Sequence, residues 1–146
     1  MRLDQMQPRL AELAEQGIQC RMAPGTSGET LDSAETRLGC RFPEQVRQFY
    51  RACDGLEVSD PPFKVYALSE MVREGPLLEF CRCDGVHRLA LDTSMINEAG
   101  QWSIVNADTG YRITFTMASF WSIRMWSWIV KRRPIWYDLH AETTAG

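Results

Sequence analysis

The sequence predicts an α+β domain with N-terminal helices, a central antiparallel β-sheet and a C-terminal helix. Three observations carry that expectation. Apolar residues recur three and four positions apart through residues 10–53, as one face of a helix requires. Through residues 63–116 the period falls to two, interrupted by turn-forming pairs. Helical spacing then returns over residues 119–130, and helices followed by strands and a helix read as α+β.

Each element has its own reason. Pro8 suits the first turn of a helix whose inward positions are Leu10, Leu13 and Ala14, and Gly17 supplies a left-handed stop. A turn follows at Ala23-Pro24-Gly25. Thr26 and Glu29 have capping-box spacing and lead into a second helix, with Leu31, Ala34 and Leu38 on one face and Gly39 at its end. Phe42-Pro43 opens a third helix. Val46, Phe49, Tyr50 and Cys53 share its face, and Asp54-Gly55 stops it.

Beyond Pro61-Pro62, residues 63–66 alternate as a short strand. Residues 77–83 and 86–92 flank Asp84-Gly85, a pair that tolerates the positive φ angles of a tight hairpin. Residues 102–106 and 111–116 flank Ala107-Asp108-Thr109-Gly110 and read as a second, longer hairpin. Ser119 is a good N-cap for the last helix, which places Phe120, Ile123, Trp126 or Ser127, and Val130 along one face. Lys131-Arg132-Arg133 sit where the helix dipole favours cations, and Pro134 blocks continuation.

Length and composition bound what such a fold can do. The 146 residues fit a single domain, 1–146, with 45% apolar and 24% charged residues, which excludes a disordered or collagen-like chain. A net charge of −3 argues against direct nucleic-acid binding through overall charge. Residues 1–16 carry Arg2, Asp4, Arg9, Glu12 and Glu15, so they lack the apolar core of a signal peptide. Residues 117–130 are too short to span a bilayer and include Arg124. Five cysteines (Cys20, Cys40, Cys53, Cys81 and Cys83) form no framework and read as reduced thiols. The expected location is cytoplasmic, with no membrane partner.

Catalytic and metal chemistry finds little footing. Cys81 and Cys83 lie close to His87 across the Asp84-Gly85 hairpin and would be the residues of a thiol- or metal-dependent enzyme. The paired spacing of a structural zinc site is missing, and small apolar positions on one strand face explain the thiols better. No Lys follows Gly25 and Gly28 as a phosphate loop requires, and Glu70 and Glu74 suit a solvated helical face. Trp121, Trp126 and Trp128 ahead of a basic run could meet lipid or RNA, although a packing face is the stronger reading. No catalytic, cofactor or metal site is therefore expected.

The most specific feature spans the second and third helices: Glu35-x-x-Leu38-Gly39-x-x-Phe42-Pro43-x-x-Val46-x-x-Phe49-Tyr50-x-x-x-Asp54-Gly55. This pattern resembles the SUKH superfamily, which includes the yeast cell-wall-synthesis regulator and many bacterial immunity proteins. The likeness continues in Leu89-Ala90-Leu91-Asp92, similar to the family's strand ending in aspartate, and in Ala118-Ser119-Phe120, similar to the opening of its final helix. The resemblance implies a SUKH-like fold and a protein-binding role with no catalytic residues to transfer. Its bacterial members suggest a cytoplasmic immunity protein that neutralises a cognate toxin, often a nuclease. Its eukaryotic members suggest the alternative, a regulatory scaffold that binds a host protein.

Charge patterning adds an expected contact surface. Residues 57–110 hold nine acids against four bases, a net −5, whereas residues 111–139 are +4. An acidic sheet region would steer a basic toxin and raise its association rate. Asp84, Asp92 and Asp108 near the hairpin turns are the expected partner-binding carboxylates. Trp102 is the expected aromatic anchor, with alternation leaving open whether it faces inward or outward.

Overall fold

Helix starts and stops follow the sequence closely, and the departures fall where pattern was weak. The structure is a computed structural model and describes residues 1–140. After a 3-10 turn at Leu3–Gln5, α1 (Met6–Glu15) buries Met6, Leu10 and Leu13, whereas Ala14 is exposed. α2 (Gly28–Leu38) buries Leu31, Ala34 and Leu38 and ends on Gly39 in the left-handed region. Its cap stands one residue beyond the expected Thr26. Ser27 Oγ accepts the Thr30 amide at 3.2 Å, while Thr26 Oγ1 donates to the Tyr50 carbonyl of α3 (Glu44–Ala52).

The α2–α3 junction shows why the long motif takes its form. Glu35, whose side chain is 16% exposed, accepts the Phe42 amide at 2.7 Å and pairs with Arg47 at 2.8 Å. One carboxylate thus satisfies an orphan donor ahead of α3 and locks the two helices together. Val46, Phe49 and Tyr50 go fully into the core, and the Tyr50 hydroxyl donates to the Tyr66 carbonyl at 2.8 Å. Asp54 Oδ1 accepts the Leu68 amide at 2.9 Å.

Two strands escape a reading in which the first third is helical. β1 (Cys20–Pro24) is an edge strand with a bulge between Met22 and Pro24, so its own pattern does not alternate. β2 (Cys53–Ser59) starts directly where α3 ends, and Gly55 lies inside it at φ 97°. A Cβ there would come within 2.9 Å of Ala67 N and Val65 O. Gly25 is tighter still, because a Cβ would meet the Arg51 carbonyl oxygen at 1.8 Å.

The remaining strands are β3 (Pro62–Val65), β4 (Val72–Glu74), β5 (Leu77–Cys83), β6 (His87–Asp92), β7 (Ile104–Asn106) and β8 (Arg112–Thr114). They complete an antiparallel sheet of order β1-β2-β3-β5-β6-β7-β8, and β4 pairs with the first half of β5. Asp84 and Gly85 take φ 54° and 74°, as their hairpin requires. Glu70 and Glu74, which would share a face only if their segment were helical, fall in a 3-10 turn and in β4.

Register places Leu56, Phe63, Val65, Cys81, Leu89, Leu91 and Ile104 on one face, beneath the helices. Phe120 packs on Phe63 and Phe80, and Phe49 stacks on Trp121 at 6.2 Å. The last helix runs from α4 (Met117–Ser119) through a π-helical stretch, Phe120–Arg124, into α5 (Met125–Ile129). Its cap is Thr116, whose Oγ1 accepts the Ser119 amide at 3.1 Å; Ser119 itself lies inside the helix.

The π stretch shifts the helix phase, which corrects the expected apolar face. Ile123 and Val130 are exposed, whereas Trp121, Met125, Trp126, Trp128 and Ile129 are buried. These tryptophans form a packing face, the stronger of the two readings of that stretch. Among the described residues no helix is long and apolar enough to cross a membrane. The chain then folds back, so that Trp136 stacks on His87 and its carbonyl accepts Asn106 Nδ2 at 2.8 Å.

Candidate functional site on the open face of the sheet

Residues that alternate with the core positions point away from the helices and form an open face. Arg21, Glu57, Lys64, Arg82 and Arg88 stand opposite one another across β1, β2, β3, β5 and β6. Such neighbours interact directly across a sheet. Glu57 pairs with Arg21 at 2.7 Å and with Lys64 at 3.6 Å, and Lys64 reaches Glu70 at 2.8 Å. The bond from Lys64, helped by the Ala67 amide, holds the Glu70 carboxyl below its ordinary value.

At the centre lies Glu79, whose side chain is 13% exposed. It accepts the Tyr66 hydroxyl, pairs with Arg88 at 3.1 Å and lies 3.6 Å from Arg82. Burial, and then the bond to Glu79, push the Tyr66 phenol up to about 12. Arg88 extends the network to Asp108 and to Glu74. The hydrogen bond from Arg88 holds the Asp108 carboxyl below its ordinary range.

This network revises the picture of an acidic sheet region. Glu57, Glu70, Glu74, Glu79 and Asp108 are all answered by Arg or Lys, including Arg21 from the strand at one end of the sheet order. Net charge along the segment misleads here because its own Lys64, Arg82 and Arg88 pair with its acids across the strands and β1 brings in Arg21 from outside. Among the described residues, Asp84, Asp92 and Glu98 stay outside any ion pair.

Two clefts open on this face. One, of about 440 Å³, lies between β1, β2 and β3 and is lined by Arg21, Asp54, Gly55, Lys64 and Glu70. The other, of about 520 Å³, lies under the β6–β7 loop, with Val105, Met95, Phe115, Arg112, Asp92 and Glu98 in its lining. Arg112 lies over the Phe115 ring, 3.9 Å from its centre.

The four expected contact residues are not gathered in one place. Asp84 and Asp108 lie at turns on the same end of the sheet, both exposed, while Asp92 ends β6 at the other end and accepts the Ser94 amide. Trp102 corrects the expectation of an aromatic anchor. It is 4% exposed and packs edge-on against Phe42 at 6.1 Å, so it takes the inward face that alternation left open. Exposed apolar side chains stand instead at Met95 and Ile96 in the β6–β7 loop and at Phe115. Met95 and Ile96 show in the sequence as two large apolar residues amid polar neighbours.

Cys83 stands opposite His87 in register, with Cys81 two residues away. Both thiols are fully buried, and desolvation pushes Cys81 well above its ordinary value, which leaves it a thiol and a poor nucleophile. The His87 ring is stacked on Trp136 at 4.2 Å. Among the described residues no group of three or more His, Cys, Asp or Glu side chains could hold a metal ion.

Comparison with known proteins accords with the geometry of the α2–α3 junction. The family model described as SMI1 / KNR4 family (SUKH-1) matches residues 25–129, from the glycine packed on Arg51 to the end of α5. No curated protein matches the chain.

Proposed function

The chain belongs to the SMI1 / KNR4 family (SUKH-1), and on that premise we propose that it is a non-enzymatic, cytoplasmic protein-binding domain that occludes a cognate bacterial toxin. The observation that carries this reading is the open sheet face. Folding neutralises its charges in pairs, yet large apolar side chains remain exposed at one end beside unpaired carboxylates. Exposed apolar groups grouped with a polar rim mark a surface that meets another protein. The buried thiols and the cation-paired carboxylates offer no activated nucleophile or free acid–base pair in that region.

The toxin on this account is a basic protein such as a nuclease. Asp84 and Asp92, and to a lesser degree the Arg88-paired Asp108, contribute at the rim, mainly by steering encounter, because exposed charges act through long-range attraction more than through contact energy. The test is co-expression in a bacterial host with any toxin found encoded in an adjoining reading frame. Restored growth and a stable complex at nanomolar concentration support the reading. A toxin that kills equally with and without this chain, or the capture of a host regulator in its place, contradicts it.

A further inference from the structure

We infer that the cleft under the β6–β7 loop is a preformed receptor for one segment of a protein partner, an apolar side chain flanked by Lys or Arg. This inference rests on the protein-binding reading above and names the chemistry that its surface accepts. The loop, residues 93–103, is held from within by Asn97. Its Nδ2 donates to the Phe115 carbonyl at 2.8 Å and to Ser103 Oγ at 3.1 Å, and its Oδ1 accepts the Ala99 amide at 2.9 Å. The Asn97 and Gly100 amides close two further backbone bonds, and Thr93 Oγ1 donates to the Pro76 carbonyl at 2.7 Å. Gln101 is buried and accepts the Gln45 amide, which ties the loop to α3.

A loop fixed by so many polar bonds has the means to turn its apolar residues inward, yet it does the opposite. Met95 and Ile96 are 66% and 54% exposed, and Phe115 beside them is 49% exposed. Three of the eight large apolar side chains exposed among the described residues therefore stand together. Rigid display of apolar groups lowers the ordering cost of binding.

Charge chooses the occupant. Arg112 is engaged over Phe115, while Asp92 and Glu98 line the cleft without an ion pair. An incoming Lys or Arg would lay its aliphatic stem along Met95 and Phe115 and bring its charge to those carboxylates. An acidic segment would meet the same carboxylates with repulsion.

The test is titration of the ¹⁵N-labelled full chain with three short synthetic peptides, alternating Leu with Lys, Leu with Glu, or Gly with Lys. The Leu/Lys peptide should shift the resonances of Asp92, Met95, Glu98, Val105, Arg112 and Phe115, and the other two should bind far more weakly. Changing Met95 and Phe115 together to Ser should weaken binding about tenfold, as loss of a central anchor does. Changing Asp92→Asn with Glu98→Gln, which spares the apolar surface, should remove most of its salt dependence.

Equal binding of the Leu/Glu or Gly/Lys peptide, or shifts centred elsewhere, overturns the inference. So does a concentration-dependent dimer that the Met95 and Phe115 changes abolish, since a second copy would then be the occupant. Peptide binding at the cleft without toxin neutralisation would sink the immunity reading alone. Neutralisation with no peptide response would sink the receptor alone.

Discussion

Glu35 and Glu79 are both largely buried carboxylates held by arginine, and the regions around them teach different lessons. Glu35 binds the Phe42 amide and Arg47, so its partners are backbone and the adjoining helix. Around it lie the buried Leu38, Phe42, Val46 and Phe49, and each is explained by packing. Glu79 instead gathers Tyr66, Arg82 and Arg88, side chains from three stretches of the sheet region, and passes its charge balance outward to Asp108. The first carboxylate completes a joint. The second flattens the electrostatics of an open face, leaving apolar exposure and a few unpaired acids to distinguish one end of it.

The largest effect that would break this contrast belongs on the helix-covered side. Phe49→Ala should cost about 3–5 kcal/mol, because the ring is fully buried between Tyr50 and Trp121. An unaltered thermal melt would show that the ring carries no core. Next comes Glu35→Ala, expected to cost about 1–3 kcal/mol by stranding the part-buried Phe42 amide and leaving Arg47 with Asp32 alone. Denaturant unfolding measures it, and a loss no larger than that of an exposed surface acid would remove the joint from the account.

On the open face the same manipulation should do less. Tyr66→Phe deletes one hydroxyl while Arg88 still answers Glu79, so about 1 kcal/mol is expected. Its sharper signature is at alkaline pH. Cys53 and Tyr66 are both pushed up to about 12, from ordinary values of 9.0 and 10.0, chiefly by burial. The folded chain therefore holds these protons longer than the unfolded chain. Their stabilising share is complete below 9, declines as pH rises and is gone past 12. Tyr66→Phe should flatten the part of that decline between 10 and 12, and an unchanged alkaline limb would contradict the burial of the phenol.

The smallest stability effect is expected at the rim. Asp84→Asn with Asp108→Asn should leave the melting temperature nearly unchanged. Asn tolerates the positive φ of Asp84 as Lys would not, which makes it the cleaner neutralisation. Association with the toxin should slow at low salt and lose salt dependence, as stopped-flow mixing would show. A rate indifferent to both changes would place the steering charge elsewhere.

How far the sequence could be read follows the same division. Pro43, Gly39 and the Leu31-Ala34-Leu38 face announced α2 and α3, because local spacing and backbone chemistry decide those elements. The Asp84-Gly85 hairpin was legible for the same reason. β1 was not, since an edge strand with a bulge is defined by its partner β2. Nor was the phase of the last helix, where a π stretch moved Ile123 outward and Met125 inward. The open face was the least legible. Its ion pairs join Arg88 to Glu79 and Asp108 through register, which a count of charges along the chain cannot contain. Trp102 looked like an anchor because residue type was visible and its side of the sheet was not.

Hydrogen–deuterium exchange of the full chain, alone and with the toxin, tests the central claim most directly. Binding on the open face predicts added protection in the β6–β7 loop and in the strands that flank it, β6, β7 and β8. The exposed surface of α1 and the α2–α3 junction should exchange as before. Protection confined to the helical layer, with residues 93–103 unaffected, would contradict the account.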